Sequence, residues 1–382
     1  VRLTAREALL RALLVAGSLL LVFVVCEAAL RFLYIRDRTG SLQEQLERSH
    51  ATSLEATRNE HSLGGLVQSS PFEEVVFELK PGLRGTYRGQ PLETNSAGQR
   101  DREYPRRKAA GTYRIAGLGD SVMFGWAVRE EQSYLALLEE WLNTPATGDG
   151  GRTFEVLNFA VPGYNTAIEV ATFEHRVLPR DPDLVILHFV SNDMGVPKFM
   201  LRPPDPLSPR RSYFADLVRS RLGLLRQQRA SRLVGYRMGS VEDAAARAEI
   251  LSRYDYMVGE RGFRRAMKKL GRLTRSRDIR VLVLVGSNRG RQGKTIRKAV
   301  QRNGFDMLEI GPVTRRIFAD HGFPDDAGVR RRKLRVAPGD SHPGAFGHYI
   351  YAVGLWEKLQ EMGMIPSAPT PACLPGDVPP NP

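Results

Sequence analysis

The sequence predicts an α/β fold, a doubly wound domain on a mainly parallel five-stranded sheet, with one apolar helix ahead of it. Three observations predict it. Short, near-continuous apolar runs recur at Tyr113–Gly119, Phe154–Val161, Leu184–Val190, Ile279–Val285 and Phe305–Ile310, as strands buried on both faces of a parallel sheet require. Helical patterns lie between them, in EQSYLALLEEWLN, NTAIEVATFEHRVL and GKTIRKAVQRN, so the chain alternates as βαβ units with right-handed crossovers do. At 382 residues and 42% hydrophobic content it can bury the core of one large or two ordinary domains.

From the N-terminus, Ala12–Cys26 (ALLVAGSLLLVFVVC) is uncharged, follows Arg2, Arg6 and Arg11, and continues through EAALRFLYI. Residues 1–36 read as an uncleaved signal anchor, a transmembrane helix with its N-terminus inside and the remainder translocated. Arginines flank both sides, so the positive-inside count does not set the orientation alone. A cleaved signal peptide ending at Cys26-Glu27-Ala28 is the alternative; a buried or amphipathic helix of a cytosolic protein is another. Val25 is bulky for a lipoprotein site. The anchor and the signal peptide both place the main domain outside the cytoplasm, in the periplasm or on the outer face of a bacterial cytoplasmic membrane.

Residues 37–70 are polar and read as a juxtamembrane linker, and 71–362 as the globular domain. Within it, residues 195–271 read as a helical, basic insertion after the third strand. The Pro-rich tail, 363–382, is expected to be extended. The formal net charge of +14 favours anionic neighbours, such as lipid headgroups or an acidic polymer at the insertion, and the excess is local, with about 25 basic against about 8 acidic side chains from Arg202 to Lys298, across and just beyond the insertion. No nucleic-acid-binding motif accompanies that charge. Cys26 and Cys373 are the only cysteines, which excludes a disulfide framework and a cysteine-rich metal site.

In open parallel sheets ligands bind beyond the carboxyl ends of the strands. Ser121 stands there, after the first strand, in RIAGLGDSVMFG. A serine hydroxyl needs a base to take its proton and a carboxylate to orient that base. The segment APGDSHPGAFGHYIYAVGLWEKL supplies both, because Asp340 and His342 can project from one loop before a helix opened by Pro343. Donors for an oxyanion are available from the next two strand ends, as the Gly163 N–H in VPGYNT and the Asn192 amide in HFVSNDM, joined by the Ser121 N–H.

Taken together these blocks resemble the SGNH (GDSL) hydrolase superfamily, whose marker residues match Ser121, Gly163, Asn192 and His342 in that order. The upstream TNSAGQRDREYP resembles the segment before the GDS strand in bacterial, membrane-anchored members, and the likeness runs from Glu93 to Leu359 apart from the insertion. It implies a three-layer α/β/α flavodoxin-like fold, a Ser121–His342–Asp340 triad, and an oxyanion hole from Ser121, Gly163 and Asn192. Two positions depart from the pattern. Val190 replaces a glycine three residues before Asp193, with a narrower pocket or a shifted Asn192 as the expected consequence, and Met123 replaces a common threonine, with a weaker local hydrogen-bond network expected.

Rival readings are concrete. His348 lies inside the predicted helix without a nearby carboxylate and reads as packing, and Asp193 reads as structural. GSNRGRQGKT, Gly286–Thr295, mimics a phosphate-binding loop but has six residues between Gly286 and Gly293 where four are needed. The resulting expectation is a serine esterase acting on an acyl ester, of a lipid or an acylated glycan, with no metal or organic cofactor. An O-acyltransferase or deacetylase of envelope glycans using the same triad, and a non-catalytic membrane-anchored scaffold, remain the alternatives.

Overall fold

The computed structural model of the chain describes residues 5–37, 63–72, 74–144, 152–198, 212, 214, 254–286 and 290–369. It divides into two units, Val1–Ala56 with Arg202–Arg253, and Thr57–Leu201 with Tyr254–Pro382. In the first, α1 (Ala5–Asp37) is a single 33-residue helix. Its stretch Leu13–Phe32 has a mean hydropathy of 2.5 and none of it is buried. That is long and apolar enough to cross a membrane. Glu27 and Arg31, the charges at its far edge, neutralise each other across one helical turn at 2.8 Å. Glu27 also accepts from Ser212 Oγ at 2.9 Å and from the Phe214 N–H at 2.8 Å.

The second unit holds a five-stranded sheet of β5 (Thr112–Leu118), β6 (Thr153–Asn158), β7 (Leu184–Phe189), β8 (Arg280–Val285) and β9 (Asp306–Glu309). The order across the sheet is β6-β5-β7-β8-β9 and every pairing is parallel. This is the 2-1-3-4-5 order of flavodoxin-like sheets, with the topological switch at the carboxyl ends of β5 and β7. All five strands coincide with the expected runs to within a few residues.

Helices cover both faces. On one, α3 (Tyr134–Leu142) packs on α9 (Ala345–Glu361), and α7 (Ile310–Asp320) packs on α9 as well. On the other, α5 (Gly259–Arg275) packs against α4 (Thr166–Thr172) and α6 (Gly290–Asn303). Alternate residues along each strand serve the two layers. Ala116, Leu118, Val185, Leu187, Val281 and Val283 meet Val170, Phe263, Met267, Leu270 and Ile296 in one core. The result is a three-layer α/β/α domain.

Four differences from the expected organisation have physical causes. The domain begins before residue 71, because β1 (Val67–Ser69) pairs with β2 (Phe77–Leu79) as an antiparallel hairpin. A second hairpin, β3 (Arg84–Tyr87) with β4 (Gln90–Glu93), also went unpredicted; strands of three or four residues carry too little periodicity to declare themselves. The basic insertion ends short of 271. Helix α5 is the crossover between β7 and β8, and its arginines face outward while Phe263, Met267 and Leu270 are buried. At the other end Ile365 is 6% exposed, so the tail is still packed just past 363. The rest of the insertion, linker and tail, and residues 287–289 of the phosphate-loop mimic, lie outside the described residues.

Candidate active site

Strand β5 ends at Leu118 and the chain turns at once into α2 (Ser121–Phe124). Asp120 caps that turn, its side chain accepting the Val122 N–H at 2.9 Å. Tight packing beneath the turn explains its glycines. A Cβ at Gly119 would lie 2.7 Å from Met123 Cβ, and one at Gly117 would lie 2.9 Å from Met123 Sδ. Met123 is fully buried in the room they leave, so its thioether fills the core where a threonine would bond.

The turn after Ser121 is held from outside by Arg100, from the upstream TNSAGQRDREYP segment. Its guanidinium is 4% exposed. It donates to the carbonyls of Phe124 at 3.1 Å, Gly125 at 2.5 Å, Val128 at 2.7 Å and Pro91 at 3.3 Å. A buried cation without a carboxylate partner is tolerable because carbonyl oxygens replace its hydration.

Ser121 is 8% exposed. Its Oγ lies 2.8 Å from His342 Nε2, and His342 Nδ1 lies 2.6 Å from Asp340 Oδ1. The second contact fixes the tautomer: the proton sits on Nδ1 and is donated to the carboxylate, leaving Nε2 to accept from the serine. The loop carrying both groups is closed on itself by Val336 N–H to the His342 carbonyl at 2.9 Å and Gly344 N–H to the Leu334 carbonyl at 2.7 Å. The His342 backbone N–H adds a 2.9 Å bond to Asp340 Oδ1.

Trp126, five residues after Ser121, completes the constellation and had no signal in the sequence. Its ring stacks on His342 with centroids 4.4 Å apart and planes 12° apart, and its Nε1–H donates to Asp340 Oδ2 at 3.2 Å. Burial raises the Asp340 carboxyl. The His342 N–H, the imidazole and the Trp126 N–H outweigh it and hold Asp340 below the ordinary aspartate value.

The other two sequence-predicted residues stand at neighbouring strand ends. Gly163 has a φ of +89°, and a Cβ there would fall 2.2 Å from Lys198 Cβ, so only glycine fits. Its N–H donates to no protein acceptor among the described residues, and neither does that of Ser121. Asn192 donates one amide proton to Asp120 Oδ2 at 3.1 Å, and its second remains available. Asn165 ties the two loops together: it caps α4 at Ile168 N–H, 3.1 Å, and donates to the Gly195 carbonyl at 2.9 Å. Val190 does not distort its turn, because its backbone lies outside the left-handed region and its N–H reaches Asp193 Oδ2 at 3.0 Å.

His348 is 0% exposed, and its Nδ1 accepts the Tyr134 N–H at 3.2 Å. Burial lowers its pKa to about 3, so it is a neutral packing residue. Beneath the Asn192 loop, Glu169 and Asp193 are each 1% exposed. Both Glu169 oxygens and Asp193 Oδ1 find no donor among the described residues. Burial, then repulsion from Asp120 at Glu169 and from Glu169 and Asp120 at Asp193, pushes both carboxyls well above their ordinary values.

Glu169 therefore keeps its proton to higher pH in the folded protein than in the unfolded chain. The stability this contributes is complete below the ordinary glutamate value and drains away as pH rises toward the folded one. Glu169→Gln has no proton to lose. Its melting temperature is expected to exceed that of the wild type by a margin that widens as pH rises above the ordinary glutamate value; a pH-independent margin would show that Glu169 is not the group concerned.

Neither a family model nor the sequence of a curated protein matches the chain. Among solved structures, it is similar to a two-domain esterase active on acetylated mannans, at 16% identity and a TM-score of 0.40, over 69% of this chain and 53% of that one, so it spans about half of that esterase. It is similar to a lipase/acylhydrolase from Enterococcus faecalis at 14% identity and a TM-score of 0.39, over 68% of this chain and 100% of that one. A further similar structure is an α/β hydrolase from the metagenome of Lake Arreo, at 16% identity and a TM-score of 0.40, over 67% and 97%.

Proposed function

We propose that this chain is a serine ester hydrolase of the SGNH type, held at a membrane by α1 and acting on an acyl ester outside the cytoplasm. One observation carries the reading: the continuous hydrogen-bonded line from Ser121 Oγ through both ring nitrogens of His342 to Asp340. It is the arrangement that activates a hydroxyl, and burial, charge or turn geometry alone gives no reason for it.

In the proposed reaction, Ser121 Oγ attacks the ester carbonyl carbon while its proton passes to His342 Nε2. Asp340 stabilises the imidazolium that forms. The Ser121 and Gly163 N–H groups and the spare Asn192 amide proton receive the tetrahedral oxyanion. Collapse breaks the bond to the alcohol, which leaves with the proton from Nε2, and an acyl-serine remains. His342 then takes a proton from water, hydroxide equivalent adds to the acyl carbonyl, and the acid departs as Ser121 recovers its proton.

Labelling of the full-length protein by a fluorophosphonate probe tests this. Wild type is expected to be labelled and a folded Ser121→Ala variant not. Unlabelled but folded wild type would reject the activated serine and favour the scaffold reading.

A further inference from the structure

The β3–β4 hairpin packs through Tyr87 against Phe124 and Trp126, in the segment that follows Ser121. Tyr87 pairs with Gln90 across a two-residue turn of Arg88 and Gly89, with φ values of +53° and +77°. Such turns want asparagine, aspartate or glycine at the first position, because a side chain is strained in the left-handed region. Arginine is a poor choice for the turn itself, and an observed backbone outlier beside a reactive centre points to a use for the side chain.

The side chain has a defined place. Tyr87 is 3% exposed and meets Trp126 edge-on at 5.3 Å, which seats the turn beside the indole. The Arg88 guanidinium lies 4.7 Å over the Trp126 ring, the same indole that stacks on His342 at 4.4 Å. A cation thus lies against the same indole as the imidazole. Arg88 is exposed, and among the described residues no carboxylate lies within ion-pair distance of it. Asp340, an acid of the site, is already committed, spending one oxygen on His342 and the other on Trp126.

Resting on the hydrolase reading above, we infer that Arg88 is a specificity-determining residue that takes a carboxylate- or phosphate-type anion carried by the ester substrate. A stacked guanidinium keeps its N–H fork free for such an anion, and stacking costs it little mobility on binding. Trp126 would then serve both ends, orienting the catalytic pair and seating the substrate-binding cation.

The test is a ratio of kcat/KM values, in which any general effect of Arg88 on Trp126 cancels. On the acyl side, p-nitrophenyl butyrate is compared with p-nitrophenyl hemisuccinate. On the alcohol side, 4-acetoxybenzamide is compared with 4-acetoxybenzoate and 4-acetoxyphenyl phosphate, which separates the two anions. Wild type is expected to favour the charged member of at least one set. Arg88→Gln lowers that preference about tenfold, the loss of a charge-assisted hydrogen bond; Arg88→Glu lowers it further, Arg88→Lys keeps most of it, and added salt erodes it. Absence of any preference in wild type, or equal losses on charged and neutral esters, overturns the inference while leaving hydrolysis intact. Failure of wild type and Ser121→Ala alike on every ester would instead overturn the hydrolase reading and this inference with it.

Discussion

Alanine at Ser121 is expected to lower kcat for an activated ester by about a million-fold, alanine at His342 to lower it comparably, and the double variant to be no slower than either single one. The equality is the informative part. The 2.8 Å contact between Ser121 Oγ and His342 Nε2 makes the hydroxyl useful only while a neutral ring nitrogen can accept its proton. Once either partner is gone, the other has nothing left to do. On the proposed mechanism, the activity expected to survive in all three variants is that of the Ser121-position and Gly163 N–H groups, the Asn192 amide and substrate binding, typically about 10³–10⁴-fold over water. Stopped assays on purified, circular-dichroism-matched variants measure it. Losses that multiply in the double variant would mean that Ser121 and His342 act independently and that no shared proton exists. Retention of activity within tenfold in Ser121→Ala would move the nucleophile elsewhere.

The strand ends and the residues standing on them were legible because each is signalled locally. A strand buried on both faces must be an apolar run, and the first polar residues after it mark the sheet's carboxyl edge. Ser121, Gly163 and Asn192 follow β5, β6 and β7 in turn, so reading the runs correctly brought three of the four blocks to one edge. Asp340 and His342 were legible as a pair through their spacing; Pro343, expected to open the next helix, instead precedes its cap Gly344 and bridges to Arg335.

What stayed hidden depends on contacts distant in sequence. Trp126 is one aromatic residue among many until Asp340, 214 residues later, accepts from it. Arg100 reads as a surface charge in a basic chain, yet it is buried because four carbonyls of other segments converge on it. Arg114 is similar: it interrupts the β5 run, but is 0% exposed and pairs at 2.6 Å with Glu155, its direct register partner on β6. Helix α5 was assigned to the insertion for the complementary reason. Its arginine density outweighed the Phe263, Met267, Leu270 stripe, although a strongly two-faced helix is what a crossover layer needs.

Asparagine at Asp340 is the second large effect, and Trp126 determines its form. In the wild type one carboxylate accepts from three donors: the His342 N–H and Nδ1–H at Oδ1, and the Trp126 Nε1–H at Oδ2. An amide of the same shape has only one oxygen. Facing it toward His342 keeps the tautomer that leaves Nε2 free, but sets an NH₂ group against the indole N–H. Facing it toward Trp126 sets the NH₂ against Nδ1, drives the proton to Nε2 and removes the base. Mixed occupancy of these states is expected to lower kcat by about 10³–10⁴-fold, the upper value being the loss when the wrong tautomer alone is present. Trp126→Phe keeps the ring against His342 and deletes the N–H. It should therefore slow the wild type, by releasing Oδ2, but speed the Asp340→Asn protein, by removing the donor that opposes the productive amide orientation. Opposite signs in the two backgrounds are a coupling that a purely packing role for Trp126 cannot produce. If Trp126→Phe slows both proteins by the same factor, the indole N–H does not orient Asp340, and the loop closed by Val336 and Gly344 holds the carboxylate without it.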